Sequence, residues 1–144
     1  MKKAIVIGRN GQVAWELQQT KPKDVEVLVL GSQDVDILDR EELELAVSEF
    51  QPDVIINASA YTAVDKAESD AEQAYAINET AVANLATVAK KLDCRFLHIS
   101  TDFVFDGCKN TAYCIDDATN PQGVYGASKL AGEQAIKSIY PQKS

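Results

Sequence analysis

The sequence predicts an α/β fold with a doubly wound parallel sheet, and three observations carry that reading. Four short segments, Ala4 to Ile7, Val25 to Leu30, Asp53 to Asn57 and Cys94 to Ser100, read as strands, the first a continuous apolar run that marks burial on both faces. Stretches of helical spacing separate them, most clearly 71–91, where Ala74, Ile77, Ala81, Leu85, Val88 and Leu92 recur on one face. Strands alternating with helices form a parallel sheet through right-handed crossovers, and the strand order expected is 3-2-1-4. At 144 residues the whole chain, 1–144, reads as a single unit able to bury a core.

Composition narrows the partners. The net charge of −8 argues against nucleic acid, which requires a locally basic surface. No apolar run is long enough to span a bilayer, and the run after Met1-Lys2-Lys3 is too short for a signal peptide. Cys94, Cys108 and Cys114 lack metal-ligand spacing and read as free thiols of a cytoplasmic protein. His98, the one histidine, sits in an apolar run and suits a core or active-site floor better than a metal.

In chain order, the first strand ends in Gly8-Arg9-Asn10-Gly11-Gln12-Val13-Ala14 and passes into a helix near Trp15. Strand, glycine turn and helix together form the context of a dinucleotide site. Gly8 permits the sharp turn, and Gly11 lets backbone approach a pyrophosphate at the helix N-terminus. The second strand ends in Leu30-Gly31-Ser32-Gln33, with no acid for a ribose and no arginine for a 2′-phosphate, so NADH and NADPH stay open. Asp36 could face an adenine with Ile37 beside it; alternatively Asp36 or Asp39 caps the helix Arg40 to Phe50. Pro52 stops that helix. The third strand leads to Ala58-Ser59-Ala60-Tyr61-Thr62, whose small side chains would let a cofactor lie close to backbone. Asn78, polar beside an apolar helix face, is either a satisfied core group or part of a solvent relay.

The fourth strand ends in Ser100-Thr101-Asp102, which offers hydroxyls at the ligand-binding edge of the sheet. Residues 108–120 have little periodicity and read as an excursion over the site. Asn120-Pro121 then precedes a helix running to about Ile139, carrying Tyr125 and Lys129. Four residues apart, these side chains project from one helix face. A cation beside a phenol that normally titrates near ~10 favours the phenolate, which makes Tyr125 a candidate general acid or base.

Taken together, Gly8-x-x-Gly11-Gln12, Asp34-Val35-Asp36, the block Pro52 to Glu68, His98 to Gly107, and Val124-Tyr125-Gly126-x-x-Lys129-Leu130-Ala131-Gly132-Glu133 resemble the extended short-chain dehydrogenase/reductase superfamily. Within it the chain is similar to the dTDP-4-dehydrorhamnose reductase family. The resemblance implies a Rossmann-like NAD(P)-binding fold and reduction of the 4-keto group of a dTDP-sugar, dTDP-4-dehydro-L-rhamnose, by NADPH or NADH. It implies Tyr125 as proton donor and Lys129 as the partner of phenol and nicotinamide ribose. Thr101 would hydrogen-bond the substrate oxygen, with Ser100 beside it. Gly8, Gly11 and Gln12 would hold the pyrophosphate, Asn10 and Val13 would meet the cofactor beside them, and Asp36 and Ile37 would flank the adenine. Ser59, Ala60, Thr62 and Ser100 would line the cofactor, Val64 and Phe103 would touch the sugar, and Asn78 would steady a proton relay.

Ala14 replaces a third glycine, Val13 stands where leucine is usual, and Phe103 stands where tyrosine is frequent. Family members are roughly twice as long. That implies a cofactor-binding and catalytic half, inactive alone, which self-associates through an exposed edge or forms a family-type homodimer. Two alternatives share parts of the pattern: a sugar-nucleotide epimerase or dehydratase, and a non-catalytic regulatory binding subunit. The blocks around Val64 and Thr101 favour the reductase over the first, and the intact Tyr125, Lys129 and Thr101 argue against the second.

Overall fold

The computed structural model describes residues 1–142; Lys143 and Ser144, at the end of the predicted unit, lie outside the described residues. β1 (Lys2–Ile7) pairs in parallel with β2 (Val25–Leu30) on one side and β3 (Val54–Asn57) on the other. β4 (Arg95–His98) adds to β3, giving the order β2-β1-β3-β4. This corrects the expected 3-2-1-4: the third strand sits beside β1, not beyond β2. The sequences of the strands explain the seating. Val54-Ile55-Ile56 is apolar on both faces and suits the interior, whereas β2 carries Glu26 and only its last two residues are buried. The chain therefore reverses direction across the sheet after β2, and a crevice opens between the ends of β1 and β3.

Alternation along the strands assigns the two faces. Val6 and Val29 meet Ala14 of α1 (Gln12–Thr20) on one face. Ile5, Ile7 and Ile55 meet Leu43 and Val47 of α2 (Arg40–Phe50) and Val82, Leu85 and Ala86 of α5 (Ala81–Lys91) on the other. On β4 Phe96 is in the core, but Leu97 is 52% exposed. Asp39 caps α2, its carboxylate accepting from the N–H groups of Glu41 and Glu42 at 3.0 and 3.1 Å. Of the two candidate caps it is Asp39 that acts, while Asp36 accepts from Leu38 N in a turn.

The continuous helix predicted over 71–91 is α4 (Ala71–Tyr75), a π-helical turn (Ala76–Thr80) and α5. The wider turn carries Asn78 inside, 1% exposed. After the short α3 (Val64–Ala67) and a 3₁₀ turn at Asp102–Val104, α6 (Val124–Ile139) crosses this helix. Two glycines set the approach. A Cβ on Gly132 would lie 2.2 Å from the Asn78 carbonyl oxygen, and one on Gly126 would lie 2.2 Å from that of Phe103.

Candidate active site

The crevice at the reversal point is a cleft of about 700 Å³. Its walls are the glycine turn, the end of β2 and the loop after β3. Gly8 adopts φ +112°, and a Cβ there would meet backbone of Ala58 and Ser59 at 2.9 Å. No other residue type fits that turn without strain. Gly11 precedes α1 and supplies no side-chain cap, so the first N–H groups of the helix stay open to an anion. A glycine cradle, an uncapped nine-residue helix and a long cleft fit a dinucleotide.

Of the residues expected at the cofactor, Gly8, Asn10, Gly11, Asp36, Ile37, Ser59, Ala60 and Thr62 all line this cleft. Gln12 and Val13 do not; they open α1 with exposed side chains, Val13 44% exposed. Ser100 donates its hydroxyl proton to Glu133. Val64 is the first residue of α3 and half-buried.

The absence of an arginine at the end of β2 needs correction. Arg9 reaches there from the glycine turn, donating to the Val29 carbonyl at 2.7 Å and pairing with Asp34 at 3.1 Å. Asp34 also accepts from Gly31 N at 2.7 Å. The signal in the sequence is the cation inside the glycine turn, 20 positions before its Val29 partner.

Thr101, Phe103 and Tyr125 come together at the end of β4. Thr101 Oγ1 accepts from Phe103 N at 3.3 Å, capping the 3₁₀ turn, and the Phe103 ring meets Tyr125 edge-on with centroids 5.5 Å apart. Lys129 is 2% exposed. Its ammonium donates to the Ile99 carbonyl at 2.6 Å and faces His98 Nε2 at 3.4 Å. Burial lowers its pKa, and Glu133 one turn on opposes that shift. Among the described residues the polar contacts of the Lys129 ammonium are with Ile99 and His98, and no hydrogen bond joins it to the Tyr125 hydroxyl.

Asn78 is a satisfied core group. Its Oδ1 accepts from Tyr61 N at 2.9 Å, and its Nδ2 donates to Tyr61 O at 3.1 Å and Ser128 Oγ at 3.0 Å. It thus joins the cleft wall to α6. Glu68, unassigned from sequence, accepts from Val124 N at 2.7 Å and caps α6 from α3. A carboxylate at a helix N-terminus also suits the dipole. Cys108 and Cys114 are exposed thiols and Cys94 is buried, and among the described residues no group of His, Cys, Asp and Glu is arranged to hold a metal.

Comparison with known proteins agrees with this geometry. A dTDP-4-dehydrorhamnose reductase of Sinorhizobium fredii is 45% identical over 94% of this chain and 46% of its own length. The crystal structure of a dTDP-4-dehydrorhamnose reductase from Clostridium acetobutylicum superposes with a TM-score of 0.93 at 40% identity, covering 97% of this chain and 50% of that one. One from Bacillus anthracis, solved in complex with NADP, gives a TM-score of 0.93 at 35% identity, over 96% of this chain and 50% of that one. The chain spans about half the length of the curated relatives it matches. The model of the RmlD substrate binding domain matches residues 1–143, and the chain belongs to that family.

Proposed function

We propose that this chain is the cofactor-binding and catalytic part of a dTDP-4-dehydrorhamnose reductase, acting in the cytoplasm on the 4-keto group of dTDP-4-dehydro-L-rhamnose. The observation that carries the reading is the Gly8 cradle against Ala58 and Ser59, with the Tyr125–Lys129 helix beside the neighbouring strand end. NADPH or NADH, when bound, supplies the hydride. Gly8, Asn10 and Gly11 admit the pyrophosphate at the start of α1, and Asp36 and Ile37 flank the adenine. Ser59, Ala60 and Thr62 wall the nicotinamide half. Thr101 orients the keto oxygen of the sugar, and Tyr125 delivers a proton to that oxygen as the carbonyl carbon becomes tetrahedral. Phe103, packed edge-on, limits the rotation of the Tyr125 ring. Lys129 holds the nicotinamide ribose from its buried position, and Val64 and Phe103 contact the sugar.

Residues 1–144 form one dinucleotide-binding unit in this reading. Its exposed sheet edge pairs with a second copy, and nucleic acid and membrane are not partners. Fluorescence titration with NADPH tests the cofactor assignment. The parent chain should bind, and Gly11→Val should weaken binding by at least an order of magnitude, because even a Cβ at Gly11 comes within 3.3 Å of Gly8 O. Equal affinity of the two would sink the reading.

A further inference from the structure

The polar groups beneath Lys129 form a continuous chain that the proposed function does not use. Asn57 and His98 are register partners at the ends of β3 and β4. Asn57, 0% exposed, accepts at Oδ1 from both the backbone N–H and the hydroxyl of Ser59, at 3.0 and 2.6 Å. Two donors fix that oxygen toward Ser59, so the amide nitrogen must face His98 Nδ1, 3.0 Å away. Nδ1 is then an acceptor. The neutral ring carries its proton on Nε2, which lies 3.4 Å from Lys129 Nζ.

The surroundings hold the ring neutral. Burial and the Lys129 charge lower the His98 pKa to about 4. Phe96 stacks along the strand at 6.4 Å, β3 contributes only the uncharged Asn57, and α6 contributes Lys129 with Glu133 one turn on. Ser59 lies on the wall of the nucleotide cleft.

We infer that Asn57 and His98 are positioning residues for Lys129: they fix its ammonium against the Ile99 carbonyl and tie that position, through Ser59, to the wall where a nucleotide binds. The inference rests on the reading of Lys129 as the group that serves cofactor and phenol. Glu133, one turn on, is the charge that competes with the Ile99 carbonyl for that ammonium. The neutral ring presents its Nε2–H, positive end first, to the ammonium; as two donors they cannot hydrogen-bond, and their repulsion turns the ammonium protons toward the Ile99 carbonyl.

The test is ¹⁵N and ¹³C NMR of the histidine ring and the lysine side chains in this chain. The unaltered protein should show the Nε2–H tautomer, persisting below pH 5. Lys129→Met should move the His98 titration midpoint upward by more than roughly half a unit, because a like charge has been removed. His98→Phe should shift the Lys129 titration, and His98→Gln, which keeps a donor near Nε2, should restore most of it. NADPH should perturb the His98 ring in the parent and much less in Ser59→Ala. An Nδ1–H tautomer in the parent overturns the inference without any substitution, as does a midpoint that Lys129→Met leaves unmoved. Failure of the parent to bind NADPH would overturn the cofactor reading alone, since the ring titration reports the His98–Lys129 coupling independently.

Discussion

A half-buried histidine beside a buried lysine makes acid stability a property of single residues. In the unfolded chain His98 takes a proton near pH 6.5, whereas in the folded chain it does so at about 4. Between those values unfolding takes up a proton, so the contribution is complete above pH 6.5 and is lost as pH falls toward 4. The gap of about 2.5 units (6.5 minus 4) sets a ceiling of about 3 kcal/mol. Solvent reaching the partly open ring brings the loss below that. Asp53, Asp106 and Asp117 act lower on the scale. Their pKa values lie beneath the ordinary 3.8, held down by the Lys3 N–H, the Cys108 N–H and the Lys109 ammonium respectively, so their stabilisation goes only under that pH. Urea unfolding at pH 7 and pH 4.5 separates the two windows. The parent should lose stability between them, and His98→Phe should show a much flatter response. A parent with equal stability at both values would contradict the buried, neutral ring.

The elements that build the site are held by backbone contacts more than by side chains. α6 meets the π turn where Gly132 faces the Asn78 carbonyl, and a Cβ 2.2 Å from a backbone oxygen has no flexible neighbour to push aside. Gly132→Ala should therefore cost about 1–3 kcal/mol, the range of an overpacked core position, in equilibrium denaturation. A loss under half a kcal/mol would mean that α6 shifts freely. Glu68→Ala should cost about 1 kcal/mol by uncapping α6, and Glu68→Gln should recover part of it, because an amide oxygen still accepts from Val124 N. Most of this scaffold was legible in the sequence, since continuous apolar runs and helical spacing report local burial. β2 and α2 begin and end where their patterns do. The strand order was not legible: it depends on which strand takes the central seat, a choice settled by comparing Glu26 with Val54-Ile55-Ile56 across the fold. The π turn left no mark because one widened turn barely alters a hydrophobic period. That Gly8 and Gly11 sit in the cleft wall was legible because strand, glycine turn and helix form a local pattern, and Ser59 because small residues follow the third strand. Arg9, Asn57 and Glu68 escaped because their roles come from partners between 20 and 56 positions distant.

Across the whole molecule the two sheet faces are covered unequally. Val6 and Ile56 point to the α1 side, so by alternation Ala4, Val54 and Leu97 do too, and α1 lies over β1 and β2. Past β1 that face is an open groove of about 970 Å³, lined by Ala4, Val54 and Leu97 with Lys2, Asp53 and Arg95 at its amino end. It is larger than the nucleotide cleft but lacks a glycine cradle, a free helix N-terminus and any of the site hydroxyls. Its character is that of an uncovered layer: Leu97 is 52% and Ile99 38% exposed, and β4 is the edge of the sheet. An edge strand with apolar side chains on one face is a template for pairing. The 144-residue chain should therefore sediment as a dimer or larger species at micromolar concentration. Leu97→Lys should shift it toward monomer, because a charge on that face must be desolvated in any pairing of two copies. Since Leu97 is not among the residues lining the cleft, NADPH affinity should be unchanged in the same variant. A parent that sediments as a monomer, or a Leu97→Lys variant that associates as strongly as the parent, would remove the open sheet face as the seat of self-association.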